Sequence, residues 1–170
     1  MKTILVASIS INGMIAEDEH SEFSWLSRRE ENLFETISKE AGVIIFGRRT
    51  FEANLSGSPL PDRLNVILTA GKRLENIPGI LHFSNGTPDE VLREIEHLGY
   101  TTCIVGGGQA VFSSFLNAGL VDTILLTVTP AIFSKGLPFL SEVSHRINPT
   151  LEKSSTLQNG EVLLEYSLKR

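Results

Sequence analysis

Three consecutive glycines, Gly106, Gly107 and Gly108, lie between an apolar run at 102–105 and a helix-like pattern. Glycine has no Cβ, so the backbone here can approach a ligand closely and adopt positive φ. The first N–H groups of the following helix would point to the same place, where they favour an anion. The spacing therefore predicts a cradle for a phosphate or pyrophosphate, and a plain tight turn is the alternative.

A second candidate anion site is the motif Gly47-Arg48-Arg49-Thr50. Adjacent guanidinium groups bind phosphate oxygens bidentately, and a threonine at a helix start caps the helix or binds a phosphate oxygen. The alternative is a solvated basic turn. A further strand-like run ends at Thr69 and Ala70, just before Lys72 and Arg73. Ligands of open α/β sheets collect at the carboxyl ends of strands, so we expect these ends to lie together.

Glu30 is the acidic residue best suited to proton transfer. It lies within the apolar helical face that carries Phe34 and Ile37, where an unpaired carboxylate is costly. Desolvation there would favour the protonated acid, which suits a proton donor or a partner for a ring N–H. The alternative is structural, because Ser27-Arg28-Arg29-Glu30 is also a capping-box pattern.

Strands and helices alternate along the chain and would position these residues. Strand-like apolar runs occur at 3–11, 43–47, 64–69, 80–83, 102–105, 123–132 and 161–168. Helical patterns occupy 27–41, the segment opened by the capping box Thr87-Pro88-Asp89-Glu90, and the segment after Gln109. Gln158-Asn159-Gly160 indicates a hairpin. This order predicts a three-layer α/β fold with a mostly parallel central sheet, helices on both faces and an antiparallel C-terminal edge strand.

Composition narrows the classes of function. A chain of 170 residues is most simply one domain, spanning 1–170. The net charge of -5 argues against a nucleic-acid binder, and no stretch is apolar enough for a membrane span. The single cysteine, Cys103, and four histidines without ligand spacing predict neither a disulfide nor a metal site. With no signal-peptide pattern, we expect a cytoplasmic protein.

Four motifs in this order resemble the reductase domain of the riboflavin-biosynthesis deaminase-reductases and, more broadly, the dihydrofolate-reductase-like family. They are Ser8-Ile9-Ser10-Ile11-Asn12-Gly13-Met14-Ile15-Ala16, then Gly47-Arg48-Arg49-Thr50-Phe51-Glu52, and then Ile104-Val105-Gly106-Gly107-Gly108. The last is Leu120-Val121-Asp122, followed by the strand to Thr129-Pro130-Ala131-Ile132 and by Gly136-Leu137-Pro138-Phe139-Leu140. The resemblance covers nearly the whole chain. It implies a dihydrofolate-reductase-like fold, NADPH as hydride donor, a small-molecule substrate and a homodimer.

The resemblance also implies roles for individual residues. The cofactor would be held by Gly47, Arg48, Arg49 and Thr50 at its phosphates, by Thr69 and Ala70 near its adenosine, and by Gly106, Gly107, Gly108, Gln109 and Ala110 at its pyrophosphate. Glu30 would supply or relay a proton with Thr127, while Asn12 and Phe34 would contact the substrate. The alternatives are an Asn-Gly turn for Asn12 and simple sheet packing for Thr127.

Two positions depart from the riboflavin reductases, which usually carry glutamate where this chain has Val105 and lysine where it has Met14. Both changes remove polar partners for a pyrimidine, so the sequence does not identify the substrate. The expected reaction is hydride transfer to a C=N or C=O carbon of a small heterocyclic or sugar-derived substrate. The alternatives are a genuine dihydrofolate reductase and a non-catalytic dinucleotide-binding protein. Phe23 and Trp25 either wall the site or pack on the core.

Overall fold

The order of the strands across the central sheet differs from their order along the chain. The computed structural model describes residues 1–18, 24–71 and 75–169, so Phe23, Lys72 and Arg73 lie outside the described residues. The strands are β1 (Lys2–Ser10), β2 (Met14–Ala16), β3 (Val43–Gly47), β4 (Leu64–Leu68), β5 (Leu81–Ser84), β6 (Thr102–Gly107), β7 (Thr123–Thr129), β8 (Leu137–Pro138), β9 (Thr150–Thr156) and β10 (Val162–Ser167). The helices are α1 (Arg28–Ala41), α2 (Arg48–Asn54), α3 (Pro88–His97) and α4 (Gln109–Asn117).

Within the described residues, eight strands form one sheet in the order β5-β4-β3-β6-β1-β7-β10-β9. The strands from β5 to β7 pair in parallel, whereas β10 is antiparallel to both β7 and β9. The mostly parallel sheet with an antiparallel C-terminal edge is thereby confirmed. A separate antiparallel pair, β2 with β8, lies beside β1.

Helices cover both faces of the sheet, as predicted. Alternating strand residues face opposite ways, so Val105 packs toward α3 and α4 while its neighbour Ile104 packs toward α1 and α2. The α3 and α4 side is sealed by Val91, Ile95 and Phe115, all fully buried. None of the described helices is long and apolar enough to cross a membrane.

Local sequence signals set most element ends. The capping boxes at Ser27 and Thr87 both form, and Gly42 ends α1 with φ +75°. β7 stops at Thr129, short of the predicted run to 132, because Pro130 has no N–H for the sheet. The hairpin predicted at Gln158-Asn159-Gly160 forms between β9 and β10, although the mostly exposed residues of β9 gave no apolar alternation from which to set its bounds.

Candidate functional site

A cavity of about 1110 Å³ opens where the carboxyl ends of β1, β3, β4 and β6 meet. All the residues expected at the cofactor line it: Gly47, Arg48, Arg49, Thr50, Thr69, Ala70, Gly106, Gly107, Gly108, Gln109 and Ala110. Glu30, Phe34 and Thr127 line it as well. The parallel sheet thus brings together strand ends that are far apart in the sequence.

The three glycines where β6 ends and α4 begins are closely packed. A Cβ at Gly106 would lie 2.7 Å from Cε1 of Phe46, and one at Gly108 would lie 2.8 Å from Oγ1 of Thr50. Gly107 adopts φ +121°, which side chains disfavour. Gly108 is also the N-cap of α4 and offers no side-chain cap, so the first N–H groups of that helix stay available to an anion.

The arginine motif lies directly across from this turn. Gly47, the N-cap of α2, likewise provides no side-chain cap, and a Cβ there would lie 3.9 Å from the backbone N of Gly108. Arg48 pairs with Glu52 at 2.6 Å between Nε and Oε1. Its Nη1 would lie 3.3 Å from a Cβ at Gly71, so the missing side chain leaves room for the guanidinium. The N-termini of α2 and α4 and the Arg48 guanidinium therefore line the same cavity.

Glu30 forms the predicted capping box and also lines the cavity. It is 4% exposed, and its Oε2 accepts a 2.9 Å hydrogen bond from the backbone N of Ser27, which completes the capping box. Its Oε1 accepts a 2.7 Å hydrogen bond from Oγ1 of Thr129. The carboxylate is thus held by two donors while its residue lines the cavity.

Thr129 belongs to the fourth motif, but the sequence assigned it no role at the site. The resemblance pointed to Thr127, which is 5% exposed and lines the cavity, but Thr129 is the residue that donates to Glu30. Residues two apart on a strand share a face, so both threonines lie on the α1 side of β7. The alternation Thr127-Val128-Thr129 was the available signal.

The structure places Asn12 outside the residues that line the cavity. Its Oδ1 accepts from Oγ of Ser10 at 2.8 Å and from the backbone N of Phe133 at 3.2 Å. Its Nδ2 donates to the carbonyl of Phe133 at 2.9 Å. This geometry matches the turn alternative, because the side chain ties the turn after β1 to the segment after β7.

Trp25 does line the cavity and also packs on another ring. Its ring stands edge-on to Phe133, with 5.2 Å between centroids. Among the described residues its buried Nε1 finds no hydrogen-bond partner. The Trp25 side chain therefore both lines the cavity and packs on Phe133.

Arg63 is a second site residue that the sequence did not reveal. Its side chain is 1% exposed and lines the cavity, and burial lowers the pKa of its guanidinium. Nε donates to the carbonyl of Pro61 at 2.8 Å, and Nη1 donates to Oγ of Ser38. Nη2 lies 4.0 Å from Oε1 of Glu35, beyond hydrogen-bond distance. A cation with spare donors is thus built into the cavity wall.

The two departures from the riboflavin reductases fall outside the cavity lining. Val105 is fully buried in the core on the α3 and α4 side, and Met14 pairs with Pro138 between β2 and β8. Their substitution therefore changes packing around the site more than the surface of the cavity. Across the described ranges, no group of three or more His, Cys, Asp or Glu side chains forms a metal-binding cluster.

The comparisons with known proteins agree on the fold. The family profile described as dihydrofolate reductase matches residues 2–156. Dihydrofolate reductase type 6 of Proteus mirabilis is 27% identical over 156 residues, covering 91% of this chain and 90% of that protein. A candidate riboflavin biosynthesis protein from Shewanella sp. PV-4 superposes with a TM-score of 0.85 at 18% identity, over 100% of both chains. The Enterococcus faecalis dihydrofolate reductase complexed with NADP(H) and RAB-propyl superposes with a TM-score of 0.76 at 18% identity, over 99% of this chain and 97% of that chain.

Proposed function

The chain belongs to the dihydrofolate reductase family, and from this membership we propose that it is an NADPH-dependent reductase of the riboflavin-biosynthesis type. It would transfer hydride to a C=N or C=O carbon of a small heterocyclic or sugar-derived substrate, as a 5-amino-6-(5-phosphoribosylamino)uracil reductase does. The observation that carries the proposal is one cavity that holds the glycine turn, the arginine motif and the buried Glu30 carboxylate. Relatives that are reductases support an oxidoreductase.

The residues present fit the dinucleotide. Gly106, Gly107 and Gly108 line the cavity with bare backbone, and the α2 and α4 starts carry no side-chain caps. We assign the pyrophosphate to residues 106–110, the 2′-phosphate to Arg48 and Arg49 with Thr50, and the adenosine to Thr69 and Ala70. Bound there, NADPH would supply the hydride. The protein would bind and orient it and exclude water.

In its acid form, Glu30 would provide the proton that balances the hydride, and solvent would return a proton to it after the transfer. When hydride adds to the carbon of a C=N or C=O bond, the nitrogen or oxygen gains negative charge and needs a proton. Glu30 lines the cavity and is held by Ser27 and Thr129, so its carboxyl keeps one orientation. We assign the proton to Glu30, directly or through a water held by Thr127, and a packing contact with the substrate to Phe34. Asn12 would have an indirect role, because its hydrogen bonds hold the turn after β1 against Phe133.

The first test is a titration of the purified protein with NADPH and, in parallel, NADH, followed by nicotinamide fluorescence. Preference for NADPH supports the cofactor half of the proposal and justifies a screen of riboflavin-pathway pyrimidines and dihydrofolate. Binding of neither nucleotide would overturn the reductase proposal. Light scattering of the same sample tests the homodimer, and fractionation of cells tests the cytoplasmic location; both are part of this proposal.

A second candidate is a genuine dihydrofolate reductase, which Arg63 favours. Dihydrofolate carries carboxylates at the end distant from its pterin ring, and a buried guanidinium in the cavity wall suits such a group. Competition between methotrexate and dihydrofolate, with turnover followed at 340 nm, separates this candidate from a pyrimidine reductase. Tight NADPH binding without turnover on either substrate class would instead indicate a non-catalytic dinucleotide-binding protein.

A further inference from the structure

Two residues with hydroxyl side chains, Ser8 and Thr127, are neighbours on adjacent strands of the sheet. In the parallel pairing of β1 with β7, the Cα of Ser8 is the partner of the Cα of Thr127. Both residues line the cavity. Neighbouring strands lie about 4.7–4.9 Å apart, so two paired side chains on the same face can reach one atom of a ligand.

The alternation of side chains along the strands places both residues on the cavity face. Ala7 packs in the core on the α3 and α4 side, whereas Val6 packs on the α1 and α2 side. Successive side chains of a strand point to opposite faces, so Ser8 shares the face of Val6. Thr127 lies on this face as well, because Thr129, two residues further along β7, donates its hydrogen bond to α1.

Neither hydroxyl has a hydrogen-bond partner in the parts of the chain that the structure describes. The next pair along the same two strands, Ser10 and Thr129, forms such bonds with both hydroxyls. Thr127 is only 5% exposed. Over the same described residues, Nε1 of Trp25 is the one fully enclosed polar side-chain atom without a partner, so the Thr127 hydroxyl keeps access to the cavity. A hydroxyl at this depth needs a partner that comes from the cavity.

The surroundings of the two hydroxyls are apolar. Val6 and Leu125 form the preceding pair on the same face of β1 and β7, and Leu163 is the partner of Thr127 on β10. All three apolar residues line the cavity, and so does Phe34 on α1. A few polar groups on an apolar wall are typical of small-molecule sites, where they fix the orientation of the ligand.

We propose that Ser8 is a specificity-determining residue, which together with Thr127 binds an acceptor atom of the substrate, a ring carbonyl oxygen. Such an oxygen has two lone pairs and can accept from both hydroxyls. A substrate without an acceptor at this place would expel water and leave both hydroxyls unpaired, which lowers its affinity. The role in substrate recognition rests on the proposed function, whereas ligand binding at this place is measurable without turnover.

Two fragments of similar size separate the hydrogen bonds from packing: 2-pyridone, which carries a ring carbonyl oxygen, and toluene, which has no acceptor. Each is titrated into the ¹³C-methyl-labelled full chain, and the methyl shifts of Val6, Leu125 and Leu163 report binding at this place. We expect Ser8→Ala to weaken 2-pyridone binding about two- to tenfold, the factor for one neutral hydrogen bond, and to leave toluene binding unchanged. Thr127→Val should have the same two effects.

Ser154→Ala on the exposed strand β9 is the matched control and should bind both fragments as wild type does. Ser8→Thr keeps the hydroxyl and should keep the ratio of the two Kd values. Three results for Ser8→Ala or wild type would overturn the proposal: unchanged 2-pyridone binding in the variant, equal weakening of both fragments in the variant, or no methyl shifts with either fragment in wild type. If Ser8→Ala does not fold, Ser8→Cys, whose S–H is a weak donor, gives the same comparison.

Kinetics separate this proposal from the proposed function. With a substrate from the screen, Ser8→Ala should raise KM about two- to tenfold, with kcat and the Kd for NADPH as in wild type. An unchanged KM would overturn the role of Ser8. A wild-type protein without turnover on any substrate of the screen would overturn the proposed function but leave the fragment result standing.

Discussion

Oγ1 of Thr129 donates a buried 2.7 Å hydrogen bond to Oε1 of Glu30, and so joins residues 99 positions apart. The contact joins α1, which carries the acid, to β7, whose Thr127 also lines the cavity. It also leaves the carboxylate with one orientation, since the backbone N of Ser27 holds its other oxygen. An acid prearranged in this way needs little reorganisation when it transfers a proton.

Glu30→Gln should lower turnover by about 10²- to 10⁴-fold, the usual contribution of a positioned general acid or base. The amide can still accept from Ser27, so the helix start and NADPH affinity should change little. Steady-state kinetics and nicotinamide fluorescence measure the two effects. Glu40→Gln, an exposed change at the far end of α1, is the matched control. Wild-type turnover in Glu30→Gln would remove this acid from the mechanism.

Replacing Arg48 and Arg49 together with alanine should abolish the preference for NADPH over NADH. A hydrogen bond to a charged group contributes about 1.5–3 kcal/mol, so the NADPH affinity should fall about tenfold or more. NADH affinity should change little, because it lacks the 2′-phosphate. Arg93→Ala on α3, which pairs with Asp89 on the opposite face of the sheet, controls for net charge. Equal losses for both nucleotides would contradict the assignment of these arginines to the 2′-phosphate.

The features that could be predicted from the sequence are those that depend on residues close together in the chain. The layered fold, the two capping boxes and the clustering of the strand ends all follow from short motifs and periodicity. Thr129 and Arg63 were missed because their importance depends on contacts formed only after folding, with Glu30 across the sheet and with Ser38 on α1. The hairpin at Gln158-Asn159-Gly160 predicted a strand before it, but the bounds Thr150–Thr156 could not be set because an exposed strand needs no apolar side chains.

Gly106→Ala should destabilise the protein by about 1–3 kcal/mol, the usual cost of overpacking a core. The new Cβ would lie 2.7 Å from Cε1 of Phe46 and 2.9 Å from Cδ1 of Ile44. Denaturant unfolding measures the loss. Phe46→Leu in the same chain removes the ring atom and should recover part of it, so that the two changes are not additive. Strict additivity would indicate that the new Cβ is resisted by Ile44 and not by the Phe46 ring.

Stability should fall in acid partly because of Glu161. Its pKa is below the ordinary value in the folded protein, because of the hydrogen bond from Ser27, so the unfolded chain takes up the proton at higher pH. The stabilisation is therefore complete well above about pH 4.3 and is lost as pH falls through the lower folded value. Urea unfolding between pH 7 and pH 3 should give a flatter curve for Glu161→Gln than for wild type. Parallel curves would contradict this linkage.

Glu35→Gln should strengthen binding of an anionic cavity ligand. Oε1 of Glu35 lies 4.0 Å from Nη2 of Arg63 and offsets part of its charge, while the bond from Lys39 lowers the pKa of Glu35 and keeps it ionised. Half-exposed ion pairs contribute about 0.2–1 kcal/mol, so affinity should rise about one-and-a-half- to fivefold.

Titration with methotrexate, whose glutamate tail carries two carboxylates, measures the effect of Glu35→Gln for the folate candidate. Titration with a phosphorylated pyrimidine measures the same change in affinity for the riboflavin-type reductase. Added salt should diminish the gain, because the attraction is between charges. Glu40→Gln removes a similar charge from the same helix away from Arg63 and should leave affinity as in wild type. A lower ligand affinity in Glu35→Gln would mean that Glu35 itself contacts the ligand. Arg63 would then stabilise the fold without binding the ligand.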